Sequence, residues 1–155
     1  MSNRPILHIV DGTGLVHRSF FAVRGLATRT GQPTGAVYGF INTIRALSAI
    51  ERPTHFIVTF DVSGSKSREA IYADYKANRK EMDADLASQL SFVDRACEVL
   101  NLPVVSAKGY EADDVIATLT KQAVAQGFDV VIITSDKDML PVSYTHLTLP
   151  TKRIV

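Results

Sequence analysis

Three short apolar runs that each lead into aspartate constrain this chain more than any other feature. Ile6 to Val10 runs into Asp11, Phe56 to Phe60 into Asp61, and Val130 to Thr134 into Asp136 and Asp138. Runs of this length, with few polar interruptions, are expected of strands buried on both faces. Between them the apolar residues recur at helical spacing: Val37, Phe40, Ile41, Ile44 and Leu47, then Leu86, Leu90, Val93, Cys97 and Leu100, then Val115, Ile116, Leu119 and Ala123. A further short run, Leu102 to Ser106, reads as another strand. Strands alternating with helices predict an α/β fold with a mostly parallel central sheet and helices on both faces. In such a sheet the carboxyl ends of the strands share one edge, so the three runs would deliver their aspartates to one place.

A fourth acidic stretch points to the same edge. Gly109-Tyr110-Glu111-Ala112-Asp113-Asp114 precedes the last helical pattern, which places three acids in a helix's first turn. Taken alone, that stretch reads equally well as a turn whose charge complements the helix dipole. Together with Asp11, Asp61, Asp136 and Asp138, however, Glu111, Asp113 and Asp114 would make a cluster of seven carboxylates. Packed carboxylates repel, and burying them unpaired is costly, so the cluster is tolerable when divalent cations sit in it. Oxygen-only ligands favour hard ions, Mg2+ or Mn2+, and no Cys/His zinc pattern is present. Two such ions ~3.5–4 Å apart activate water against a phosphodiester and stabilise its leaving oxygen. No Ser-His-acid or Cys-His arrangement competes with this reading.

Net charge excludes little, because 17 Lys+Arg nearly balance 16 Asp+Glu. Charge distribution is more informative. Within 62–85, Arg68, Tyr72, Tyr75, Lys76, Arg79 and Lys80 interleave basic and aromatic groups, several of them three or four residues apart. Aromatic rings stack on unpaired bases while cations hold the backbone, so this mixture suits a single-stranded nucleic acid; a solvated amphipathic helix is the alternative. Asp11-Gly12-Thr13-Gly14 is expected to turn the chain into a helix from Leu15 to Val23, with Arg18 beside the site to hold a phosphate or pair with an acid. The turn has neither Walker nor dinucleotide-binding spacing. His8, inside an apolar run, is read as a core histidine. A lone cysteine, Cys97, cannot form an internal disulfide and reads as a buried thiol in a reducing compartment. With no signal peptide or membrane span visible, a cytoplasmic location is expected.

Six motifs then occur in a recognisable order: Asp11-Gly12, GQPTGAVYGF from Gly31 to Phe40, Phe60-Asp61, YKANR from Tyr75 to Arg79, GYEADD from Gly109, and TSDKDML from Thr134. Together they resemble the 5′-nuclease domain of bacterial DNA polymerase I, within the flap-endonuclease superfamily, and the likeness spans Ile6 to Leu140. The resemblance implies a three-layer, PIN-like fold with a helical arch over 62–85. It also implies 5′-to-3′ exonuclease and flap endonuclease activity on DNA with a 5′ flap or a 5′ end at a nick, in replication and repair. By resemblance, Asp11, Asp61, Glu111, Asp113, Asp114, Asp136 and Asp138 belong to the metal site, with two or more Mg2+ or Mn2+ ions in a complete domain. Lys76 and Arg79 match catalytic basic residues at the base of the arch. Arg18, Arg68, Tyr75, Lys76, Arg79 and Lys80 would contact DNA. The family implies a monomer with a polymerase domain fused downstream. Departures lie at Lys66 and Ser67, where Thr-Phe is usual, and at Asp83, where proline is common.

The pattern breaks after Leu140. Residues 142–151, VSYTHLTLPT, match one reading frame of a transposase-type sequencing adapter, so 141–155 are expected to be a non-native tail following an N-terminal nuclease part over 1–140, with a natural truncation or divergent C-terminus as the alternative. The alternating apolarity from Val142 to Leu149 would still suit a strand. Two further aspartate ligands and a duplex-gripping helix-hairpin-helix are expected by resemblance but absent from this sequence, which implies weak or no activity. Alternatives are a PIN-type ribonuclease, a DNA-binding module that no longer cuts, and a receiver-like signalling domain.

Overall fold

Among the described residues, five parallel strands share one sheet in the order β3-β2-β1-β4-β5. The computed structural model describes residues 4–49, 52–62, 82–136 and 146–148. The strands are β1 (Ile6–Asp11), β2 (His55–Thr59), β3 (Val104–Val105), β4 (Asp129–Thr134) and β5 (His146–Thr148). Among these residues the helices are α1 (Gly12–Ala22), α2 (Gly35–Ala49), α3 (Ala84–Ala87), α4 (Leu90–Val99) and α5 (Ala112–Ala125).

Alternation along the strands divides the core into two. Val10, Val58, Val131 and Ile133 pack with Leu15 and Val16 of α1, Phe40, Ile44 and Leu47 of α2, and Val93 and Cys97 of α4. On the opposite face Leu7, Ile9, Val130 and Ile132 pack with Ile116 and Ala123 of α5. The sheet is thus the middle of three layers, and burial on both faces is why its central strands carry so few polar residues. His8 is fully buried with its ring centroid 5.9 Å from that of Phe56, a core position as read from the sequence.

Boundaries differ where side chains compete with the backbone. α1 begins at Gly12, not Leu15, because the Asp11 side chain caps the helix by accepting the Gly14 N–H at 2.9 Å. The apolar pattern from Leu86 to Leu100 is divided between α3 and α4. The buried Gln89 lies between them, its Oε1 accepting the Ala36 N–H at 2.8 Å and its Nε2 donating to the Asp85 carbonyl at 3.0 Å. That amide caps α2 from 53 residues away and ties α3 to it. β3 shrinks to two residues: Pro103 accepts from the Val58 N–H at 2.9 Å but has no N–H to extend the ladder. Asp83, where the family commonly has proline, is the N-cap of α3, its side chain accepting from the Asp85 N–H at 2.9 Å. β5 pairs with β4 in the register Ile132↔His146 to Thr134↔Thr148, shorter than the alternating run that suggested it.

Candidate functional site

Parallel pairing sets the place of the first two aspartates. Asp11 ends β1 opposite Thr59, and Asp61 follows two residues later, beyond the end of β2. Asp11 is only 7% exposed, and both its carboxylate oxygens are engaged. One accepts the Gly14 N–H at 2.9 Å and the other accepts the Thr134 hydroxyl at 3.1 Å. The same Thr134 oxygen accepts the backbone N–H of Asp136 at 3.0 Å, so one buried hydroxyl at the end of β4 orients two members of the cluster. Asp61 has an exposed side chain, but its backbone N–H donates to Thr13 Oγ1 at 2.9 Å and its Oδ1 accepts the Ala112 N–H at 2.7 Å.

That last bond brings the start of α5 to the strand edge. Glu111 is the N-cap of α5, and Glu111 and Asp114 form a reciprocal capping box in which the Asp114 carboxylate accepts the Glu111 N–H at 3.2 Å. Glu111 and Asp114 thus satisfy the helix end, and the Asp61 bond to Ala112 sets that end beside the strand-edge acids. Asp113 is half-buried between its capping neighbours. Its carboxyl is raised from 3.8 to about 6, first by burial, then by the charges of Asp11, Asp136, Asp61 and Glu111. Burial also raises Asp11; hydrogen bonds from Gly14 and Thr134 oppose this, while the charges of Asp61 and Asp136 add to it.

Asp11, Asp61, Glu111, Asp113 and Asp136 are thus electrostatic neighbours at one sheet edge, with Asp114 bound into the cap beside them. Among the described residues, no three His, Cys, Asp or Glu side chains stand close enough to hold a single ion. Asp138 lies outside the described residues, as do Arg68, Tyr75, Lys76, Arg79 and Lys80. Arg18 sits half-buried on α1. Among the described residues no helix is long and apolar enough to cross a membrane. Sequence reading did not single out Thr13 or Thr134. The available signal was a hydroxyl residue within two positions of an expected strand-end aspartate, which is common enough in any chain to pass unnoticed.

As a donor set, the cluster suits hard divalent cations: its oxygens are anionic, partly desolvated and mutually destabilised, and a cation would relieve all three conditions. The described geometry is short of a closed coordination shell, since the acids meet as charges without converging on one point.

Comparison with known proteins gives the chain relatives and a family. A DNA polymerase I from Chloroflexus aurantiacus is 42% identical over 145 residues, covering 92% of this chain and 15% of that protein. A 5′-3′ exonuclease from Aquifex aeolicus is 42% identical over 134 residues, covering 86% of this chain and 46% of that protein. The chain therefore spans less than half the length of these relatives. Among solved structures, the T5 D15 protein co-crystallised with metal ions superposes with a TM-score of 0.69 at 24% identity, over 91% of this chain and 53% of that one. The catalytic core of Rad2 in complex with DNA substrate gives 0.54 at 20% identity, over 90% of this chain and 40% of that one. At such identities these two establish a common fold. A sequence model described as the 5′-3′ exonuclease N-terminal resolvase-like domain matches residues 6–153, and the chain belongs to that family.

Proposed function

We propose that this chain is the N-terminal part of a divalent-metal-dependent 5′-3′ exonuclease and flap endonuclease acting on DNA phosphodiesters at 5′ ends and flaps. The observation that carries the reading is geometric: the Thr134 hydroxyl at the end of β4 bonds both Asp11 of β1 and the Asp136 backbone, while Asp61, after β2, bonds the Ala112 N–H at the start of α5, so acids from four elements meet at one sheet edge. Asp11, Asp61, Asp113 and Asp136, with Glu111, Asp114 and Asp138, are the residues proposed to hold Mg2+ or Mn2+. When bound, such ions lower the pKa of a water and stabilise the leaving oxygen of a phosphodiester. The chain's own contribution is to orient the acids. Gly14 and Thr134 aim Asp11, Ala112 and Thr13 hold Asp61, and the capping box sets the first turn of α5.

Lys76 and Arg79 are proposed to contact the scissile phosphate, and Arg18, Arg68, Tyr75 and Lys80 the remaining DNA. The parent protein is proposed to be a monomeric, cytoplasmic DNA polymerase I, with the polymerase following this domain. Residues 141–155 are proposed to be a non-native tail, and the fragment is expected to bind metal while cutting weakly or not at all.

Two measurements test this. Calorimetric titration with Mn2+ and with Mg2+ is expected to show binding that weakens as pH falls below 6; no binding of either ion overturns the metal reading. Cleavage is then compared on 5′-flap DNA and single-stranded RNA. Preference for RNA would favour the PIN-type ribonuclease, and vigorous flap cleavage would refute the expected weakness of the fragment. Sequencing the source DNA across codon 141 without transposase adapters decides the tail, since a frame running on into Gln-Leu and further aspartates supports the proposal.

A further inference from the structure

The first turn of α1 contains a side chain whose role the carboxylate cluster does not explain. Thr13 lies between Gly12 and Gly14, and neither flanking position tolerates a side chain. A Cβ at Gly12 would stand 2.6 Å from the Phe60 ring, and one at Gly14 would collide with Asp11 Oδ2. Thr13 therefore extends the only side chain between two closed positions. Its hydroxyl does not cap its own helix, a task already performed by Asp11. Instead Thr13 Oγ1 accepts the backbone N–H of Asp61 across a sequence separation of 48 residues, at 2.9 Å.

The need for that bond follows from the strand register. The β1–β2 ladder ends with Asp11 opposite Thr59, so Asp61 has left the sheet and its N–H has no ladder partner. Its side chain is exposed, which leaves few packing contacts to set the local backbone. Yet its carboxylate reaches the Ala112 N–H at 2.7 Å at the start of α5 and contributes to the field at both Asp11 and Asp113. One neutral oxygen thus anchors the backbone from which Asp61 spans α1 and α5. A hydroxyl is suited to this place because it accepts a hydrogen bond without adding another negative charge to the cluster.

We propose that Thr13 is a positioning residue for the metal-dependent site, holding the Asp61 backbone so that its carboxylate serves the cluster and the start of α5 together. The proposal rests on the metal reading given under Proposed function, and groups that orient ligands characteristically change metal affinity by about 10–100-fold when removed. The test uses the whole chain with Thr13→Val, which keeps the shape and removes the acceptor, and Thr13→Ser, which restores the acceptor. Mn2+ affinity is measured by calorimetry, and Asp61 amide exchange is followed by NMR without metal. Thr13→Val is expected to weaken Mn2+ binding about 10-fold and to speed Asp61 exchange, while Thr13→Ser retains wild-type behaviour in both. Equal Mn2+ affinity in wild type and Thr13→Val overturns the proposal, as does a Thr13→Ser variant as impaired as Thr13→Val. If wild type itself binds no Mn2+, the metal reading fails separately, and Asp61 exchange then decides the positioning role: unchanged protection in Thr13→Val overturns it. Should Thr13→Val not fold, Thr13→Ala carries the same comparison.

Discussion

Replacing Asp113 with asparagine is expected to stabilise the metal-free protein at neutral pH while weakening its hold on divalent cations. The carboxyl is raised from 3.8 to about 6 by burial and by Asp11, Asp136, Asp61 and Glu111. Between those two values the folded chain binds more protons than the unfolded chain, so stability falls as pH rises through this window and stays lower above it. At about 1.4 kcal/mol per pH unit, the full difference would be ~3 kcal/mol. Asp113 is only half-buried, and solvent screening brings the expected penalty to ~1.5 kcal/mol. The amide introduced by Asp113→Asn carries no charge at any pH, so the variant escapes the penalty. Urea unfolding of wild type and Asp113→Asn without metal is expected to show the variant ~1.5 kcal/mol more stable at pH 8 and no more stable at pH 3.5. Adding Mn2+ should reverse the order at pH 8, because binding to the native state stabilises wild type in proportion to affinity. A gain independent of pH, or a variant less stable than wild type at pH 8 without metal, would refute the argument from mutual repulsion.

Other expectations rest on geometry. Gly14→Ala drives a Cβ into Asp11 Oδ2, and the displaced carboxylate should cost about 1–3 kcal/mol in urea unfolding and weaken Mn2+ binding; unchanged values in both would contradict the closeness of that turn. Gln89→Leu leaves the buried Ala36 N–H without its acceptor and the Asp85 carbonyl without that donor, so a loss of ~2 kcal/mol is expected by thermal or urea unfolding. Cys97 is buried and its thiol is raised to about 11, by burial first and then by Asp94. Alkylation at pH 8 should therefore proceed only as fast as the chain opens, and fast labelling of the native protein would show that the thiol is accessible.

Much of this fold can be read along the chain because the patterns that encode it are local. A strand buried on both faces must be apolar at nearly every position, and Ile6 to Val10 and Val130 to Thr134 display that requirement directly. Helical periodicity likewise reveals which residues of α2 and α5 meet the sheet. The strand-end aspartates were legible for a related reason, since parallel topology sends the carboxyl ends of successive strands to one edge. Where local patterns were ambiguous, interactions distant in sequence decided. The apolar spacing from Leu86 to Leu100 suits one helix, yet Gln89 serves α2 and the pattern is divided. Similarly, Asp11-Gly12-Thr13-Gly14 resembles a turn in composition, and only the cap made by Asp11 turns it into the first residues of α1.

The same division holds at the site. Sequence alone suggested which acids to group, because Asp11, Asp61, Asp136 and Asp138 follow apolar runs while Glu111, Asp113 and Asp114 open a helical pattern. Tertiary structure decided what each acid does: Asp114 and Glu111 complete a helix end, Asp11 is held by Thr134 from β4, and Asp61 is suspended between Thr13 and Ala112. It also raised the Asp113 carboxyl, first by burial and then by the charges of Asp11, Asp136, Asp61 and Glu111. The physical reason is range. Burial patterns repeat every two or three to four residues and are written in the chain, whereas a hydrogen bond between residues 48 or 123 positions apart exists only after the sheet has brought its strands together.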